Sequence, residues 1–237
     1  SKEEKTNKQE AKGNDKVPGL TKFFFALGDV YGGGVFNIMN FFYAIFLTDV
    51  VKIPASYASL IFLIGKIWDA FTDPVMGFLT DRTKSRFGRR RPYFLVGVPF
   101  IFLSFVMVWY PVSFQSVFAR FLYAFFSYLF LDVVNTMVLV PYTAMSAEIT
   151  LDYNERTSIN SLRLVFSLIS SLLCAVLPMM IVQAAGDVKK GYLLMATTFG
   201  TFFALPYLGV FAFTKEKNFT PAATKFSFRD LIMEPLK

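Results

Sequence analysis

Six mostly apolar stretches, at 23–48, 55–80, 93–110, 116–145, 160–184 and 191–213, follow one another with short polar segments between them. An α-helix rises 1.5 Å per residue, so each stretch is about long enough to cross the roughly 30 Å hydrocarbon core of a bilayer. Lipid offers no partner for backbone N–H and C=O groups, and such runs can satisfy them internally as helices. The expected fold is therefore an all-α membrane protein, a bundle of six transmembrane helices over residues 22–214. Residues 1–21 read as a disordered cytoplasmic tail rich in Lys, Glu and Asn, without the apolar core of a signal peptide. Residues 215–237 read as a cytoplasmic linker, with Phe226, Phe228, Leu231 and Ile232 marking a short amphipathic helix.

Charge supports this class and sets an orientation. The chain is 54% hydrophobic and only 17% charged, and its net charge of +7 sits in the tails and inter-span segments. Lys2, Lys5, Lys8, Lys12, Lys16 and Lys22 precede the first span, Arg82 to Arg91 follow the second, and the opposite loops offer Lys52, Lys189 and Lys190. The positive-inside rule then places both termini in the cytoplasm, in the plasma or inner cell membrane. Topology accounts for the basicity, and no nucleic-acid partner is called for. The sequon at Asn218 accordingly faces the cytosol. Cys174 is the single cysteine and histidine is absent, which excludes an internal disulfide, a cysteine metal site and a histidine proton relay.

Ionisable groups at membrane depth need a reason, since each carboxylate there costs roughly 2.5 to 3.5 kcal/mol on insertion scales. Lys66, Asp69, Asp73 and Gly77 share one face of the second span. In the fourth span Asp132, Asn135, Thr136, Leu139 and Thr143 recur with the same period. The first offers Asp29, Gly33 and Asn40 with Asn37 flanking, and the fifth offers Arg163, Ser167, Ser170 and Ser171. Counting rise per residue brings these groups to one level near the midplane. Each has a plain structural reading. Lys66 and Asp69 can form an inert pair, Asp29 and Asp132 can bond to a neighbouring helix, and the serines and Gly32 to Gly34 can simply allow close packing. Asp73 resists it, because one lysine neutralises one aspartate and the second carboxylate still needs a cation or a proton.

The stretch Gly77-Phe78-Leu79-Thr80-Asp81-Arg82, followed by Gly88-Arg89-Arg90-Arg91, resembles the loop between helices two and three of major facilitator transporters. Ile67-Trp68-Asp69-Ala70-Phe71-Thr72-Asp73-Pro74-Val75-Met76-Gly77 is similar to the helix-two motif of the glycoside, pentoside and hexuronide cation symporters, the melibiose permease-like family. Phe46 to Val51, Val140-Pro141-Tyr142, and Ile149 to Asp152 with Glu155-Arg156 match in order. The resemblance implies the N-terminal half of a twelve-span fold, with the other six-span half on the same or a separate chain. It implies that Asp69, Asp73 and Thr136 ligate the coupling ion, Na⁺ or H⁺, that Lys66 is their charge partner, and that Arg163 lies near the solute. Two departures matter: Val30 and Leu139 stand where the melibiose permease has its sugar-gripping carboxylates.

The expected function is cation-coupled symport of a sugar or glycoside by alternating access, with no cofactor. The ion would sit between Asp69, Asp73 and Thr136, and the solute beside Asp29, Asn40, Asp132 and Arg163. Gly77, Asp81, Arg82, Gly88, Arg89 and Arg90 would gate the cytosolic side, with Asp81 and the arginines latching onto the partner half. Three rivals stand beside it. One is an intramembrane enzyme holding Mg²⁺ and pyrophosphate, which needs two aspartate-rich helices where this chain has one. Another is a six-helix scaffold that binds a second membrane protein. The third keeps the transporter and changes its cargo to an amphiphilic lipid.

Overall fold

The computed structural model describes residues 16–150 and 152–216, and these form helices joined by short connections. Of the tail expected at 1–21, residues 1–15 lie outside the described residues, as do the sequon at Asn218 and the amphipathic helix expected at 226–237, while Gly19 to Thr21 already belong to a helix. The first apolar stretch is not one regular helix. It runs as α1 (Gly19–Leu27) and α2 (Asp29–Ile38), then as two π-helical turns at Met39–Tyr43 and Phe46–Val50. After it come α3 (Ala55–Arg82), α4 (Arg91–Val108), α5 (Val117–Met145), α6 (Tyr153–Ala184) and α7 (Val188–Phe213).

The helix starts are written locally. Side-chain oxygens of Ser116, Asp152 and Asp187 accept from the N–H groups of Ala119, Glu155 and Lys190, satisfying donors that a first helical turn cannot. Pro54 precedes α3 and Pro92 lies in the first turn of α4, where a missing N–H costs little. Each of α3 to α7 also carries an interior proline, at Pro74, Pro99, Pro141, Pro178 and Pro206. Gly186, with φ of +70°, makes the turn from α6 into α7.

Four of the described helices, α4 to α7, are long and apolar enough to cross a membrane. At 28 residues α3 has the length, but Lys66, Asp69, Asp73 and Asp81 keep it out of that group. The core is aromatic. Trp109 is fully buried, stacked on Tyr192 and edge-on to Tyr43, while Tyr31, Phe203, Tyr207 and Tyr142 continue the cluster toward the other end. Helix α4 packs mainly on α7 and α5, and α2 on α6, whereas α3 leans chiefly on α5. That arrangement leaves Leu63, Ile67, Trp68, Phe71, Val75 and Leu79 of α3 exposed along its far side.

The glycines of the first span serve packing. A Cβ on Gly33 would meet the Ser167 backbone at 2.5 Å, and one on Gly34 would meet Ser170, Phe203 and Cys174 within 2.9 Å. Ser170 and Ser171 donate to the carbonyls of Val30 and Gly33, so the fifth-span serines tie α6 to α2.

Candidate functional site

Between α3 and α5 lies a cavity of about 320 Å³, lined by Lys66, Asp69 and Asp73 from one helix and Asp132, Asn135, Thr136, Leu139 and Thr143 from the other, with Phe36 of α2. A smaller cavity of about 50 Å³ shares Phe36, Lys66, Asp132 and Asn135 and adds Asn40, Phe62 and Tyr128. The period-3.6 stripes of the two helices thus meet face to face. The Thr136 hydroxyl bridges the gap, donating to Asp73 Oδ1 at 3.0 Å.

The charges in this cavity do not balance. Lys66 Nζ pairs with Asp69 Oδ2 at 3.2 Å, within one turn of α3. Asp73 has the Thr136 hydroxyl, and no ion pair joins it to a cation among the described residues. Asp132 is 8% exposed, lies close to the Asp69 carboxylate, and leaves Oδ2 buried without a hydrogen-bond partner. Asn135, next to it, is held by Tyr31, whose hydroxyl donates to its amide oxygen. Oxygen donors of this kind suit a hard monovalent cation or a proton.

Asp29 and Arg163 form a second, smaller group. Arg163 Nε stands 3.5 Å from Asp29 Oδ2, and the guanidinium lies 4.6 Å from the Tyr142 ring centroid. Asp29 and Leu139 both flank Gly32, so this pair borders the wall of the larger cavity without lining it. Of the expected solute-binding residues, Asn40 and Asp132 face the cavities, and Asp29 and Arg163 face each other.

A third group closes the end of the bundle that carries the arginines. Asp81 pairs with Arg90 at 3.0 Å and with Arg89 at 3.5 Å, and Glu148 pairs with the same two arginines at 3.1 and 2.5 Å. The Glu216 carboxylate accepts from the backbone N–H groups of Arg89 and Arg90 at 3.0 and 2.7 Å, at the positive start of α4. Gly88 makes this fit possible, with φ of +108° and no room for a Cβ beside Glu216. These partners lie within the chain, where the sequence suggested pairing with another half. Arg82 stands apart, its guanidinium 3.9 Å from the Phe78 ring centroid, and Gly77 faces open space.

Glu148 and Glu216 were not singled out from sequence. Glu148 follows the C-terminus of α5, where an acidic residue opposes the helix dipole and so demands a cationic neighbour. Glu216 is flanked by Lys215 and Lys217 and carries no comparable signal.

A family model described as MFS/sugar transport protein matches residues 24–235. The chain belongs to that family. Among its relatives are an uncharacterised symporter of Synechocystis, 38% identical over 73% of this chain, and a putative glycoside/cation symporter of Escherichia coli, 37% identical over 72%. A sodium-dependent lysophosphatidylcholine symporter of Xenopus tropicalis is 32% identical over 70%. The matches cover 33%, 37% and 31% of those relatives' own lengths, so the chain spans well under two thirds of each. Family membership and the apolar helices make this a chain of a multi-pass membrane protein, and the family is described by transport, which speaks against the intramembrane-enzyme reading.

Proposed function

We propose that the chain is the N-terminal, six-span half of a cation-coupled symporter. The first span is α1 and α2 with the two π-helical turns, and α3 to α7 supply the other five. Both ends face the cytoplasm on this reading, with the arginine-rich end of α3 and α4 inside. Na⁺ or H⁺ binds between Asp69, Asp73 and Thr136, and the solute enters the cavity alongside, next to Asn40 and Asp132 and near Asp29 and Arg163. The observation that carries the proposal is the 3.0 Å contact from Thr136 to Asp73, which closes one cavity around the three ion-binding candidates.

The mechanism follows from charge. With the ion absent, Asp73 holds a negative charge that opposes passage of the site through a closed, water-poor state. Binding of the ion removes that penalty, and the solute completes the contacts that let the two halves rock about the midplane. Asp81, Arg89, Arg90, Glu148 and Glu216 hold the cytosolic end of this half together as a unit while it moves.

A sugar or glycoside is the first choice of solute, since the family description names sugar transport. A second reading, an amphiphilic solute, is favoured by the lysophosphatidylcholine symporters among the relatives and by the exposed Ile67, Trp68 and Phe71 beside the polar wall. Uptake of a panel of glycosides and of lysophosphatidylcholine, with an imposed Na⁺ or H⁺ gradient, tests both in the full-length protein. One of these solutes is expected to accumulate only with the gradient, and Asp73→Asn is expected to abolish that accumulation. Accumulation unaffected by either change would refute the coupling.

A further inference from the structure

Among the described residues, one carboxylate of the cavity has neither a cation paired with it nor a hydroxyl donor beside it. Asp69 has Lys66 at 3.2 Å, and Asp29, outside the cavity, has Arg163 at 3.5 Å. Asp73 has the Thr136 hydroxyl, and the coupling ion of the proposal above adds one positive charge there. Asp132 then has no cation of its own: it meets the Asp69 carboxylate, is more than nine-tenths buried, and keeps Oδ2 unpartnered where it lines both cavities. Two carboxyl groups in contact at this depth need a positive charge between them, a proton or a cationic group, so a transported species that supplies one is held more firmly than a neutral one.

The surroundings of Asp132 fit such a group. Phe36, Phe62 and Tyr128 line the smaller cavity beside it, giving aromatic rings where an ammonium can gain cation–π attraction. Asn40 adds a polar side chain on the same wall. The charged and titratable groups near Asp132 are Lys66, Asp69 and Asp73 from α3, Tyr128 from its own helix and Tyr31 from α2. Lys66 is the one cation among them, and its ammonium is engaged by Asp69.

We infer that Asp132 and the aromatic nook beside it form a subsite for a cationic group of the transported solute, an amine or quaternary ammonium. The inference deepens the symport reading and rests on it. It makes the solute an amino-bearing glycoside, or an amphiphile with an ammonium head group, in preference to a neutral sugar. Asp132 acts by contact with the solute, distinct from Asp73, which holds the ion.

Pairs of probes that differ in charge test this on the full-length protein in detergent or nanodiscs. Glucosamine is compared with glucose, and choline with its uncharged carbon analogue 3,3-dimethylbutanol, by equilibrium binding in saturating Na⁺ and again at acidic pH. The cationic member of at least one pair is expected to bind about tenfold tighter, a difference of roughly 1.4 kcal/mol. Asp132→Asn should erase that preference, while Asp132→Glu should keep it, which guards against loss through misfolding. Equal binding within both pairs, no binding by either cation, or a preference that survives Asp132→Asn would overturn the subsite. The same samples report melting with and without Na⁺ and across pH. An ion response that Asp73→Asn removes, alongside absent charge preference, sinks the subsite and leaves the symport reading intact. Absence of any ion response sinks the symport reading, and the subsite with it.

Discussion

The hydroxyl of Thr136 does two things at once on the proposed reading: it donates to Asp73 Oδ1 at 3.0 Å, and its oxygen lines the cavity as a further ligand for the ion. Thr136→Ala removes both and is expected to weaken apparent ion affinity about five- to tenfold, the worth of one hydrogen bond near 1 to 1.5 kcal/mol. Thr136→Ser should retain most of it, and ion titration of either flux or melting temperature separates the two variants. The residues of α5 that line the cavity were legible in the sequence. Asp132, Asn135, Thr136, Leu139 and Thr143 recur at helical spacing, and all five line the cavity. Their counterparts Lys66, Asp69 and Asp73 were legible for the same reason, while Gly77, one turn further on, faces open space because α3 has run past the cavity. Pairings set only by tertiary packing were not legible, such as Glu216 on the N–H groups of Arg89 and Arg90.

At the scale of single helices, the regular spans were the easiest to place and the first was the hardest. Ser116, Asp152 and Asp187 announce the starts of α5, α6 and α7 through cap chemistry that sequence displays directly. The turns at Met39–Tyr43 and Phe46–Val50 carry no proline or charge cluster inside a span that would reveal them, and such π-helical turns gather at functional sites. Asn40 sits on the first of them, beside Asp132 in the smaller cavity. The break at Gly28 brings the chain against Tyr142 and Val210, which a Cβ would meet at 2.8 and 2.9 Å. Gly28→Ala is therefore expected to destabilise the protein by about 1 to 3 kcal/mol through overpacking, seen as a lower melting temperature with ion affinity little changed. Just before α4, Glu216→Ala should free the turn around Gly88 and speed proteolysis between α3 and α4. Glu216→Gln, which keeps an acceptor, should do so less.

Across the whole molecule, family membership and charge distribution make separate claims that one topology experiment can compare. The positive-inside rule puts the segment between α3 and α4, with Arg86 to Arg91, on the cytoplasmic side and Lys52 and Lys189 on the other. Cys174 is the only cysteine and is buried, so cysteines introduced at Ser85 and Lys189 in otherwise native chains should label from opposite faces of sealed vesicles. Labelling of both from one face would contradict the orientation. The uneven packing of α3, held by α5 and bare along Ile67, Trp68 and Phe71, is what a half-bundle that works against another body would present. On the proposed reading its acidic wall is what ties their movement to an ion. An ion that binds only the folded site raises stability by RT ln(1 + [L]/Kd), so melting of the full-length protein, titrated with Na⁺ at fixed pH and with pH at fixed Na⁺, tests the central claim most directly. The account predicts that melting rises with one of these ions in the native protein and is flat to both in Asp73→Asn. A native protein indifferent to both ions, or an Asp73→Asn variant that still responds in full, would contradict it.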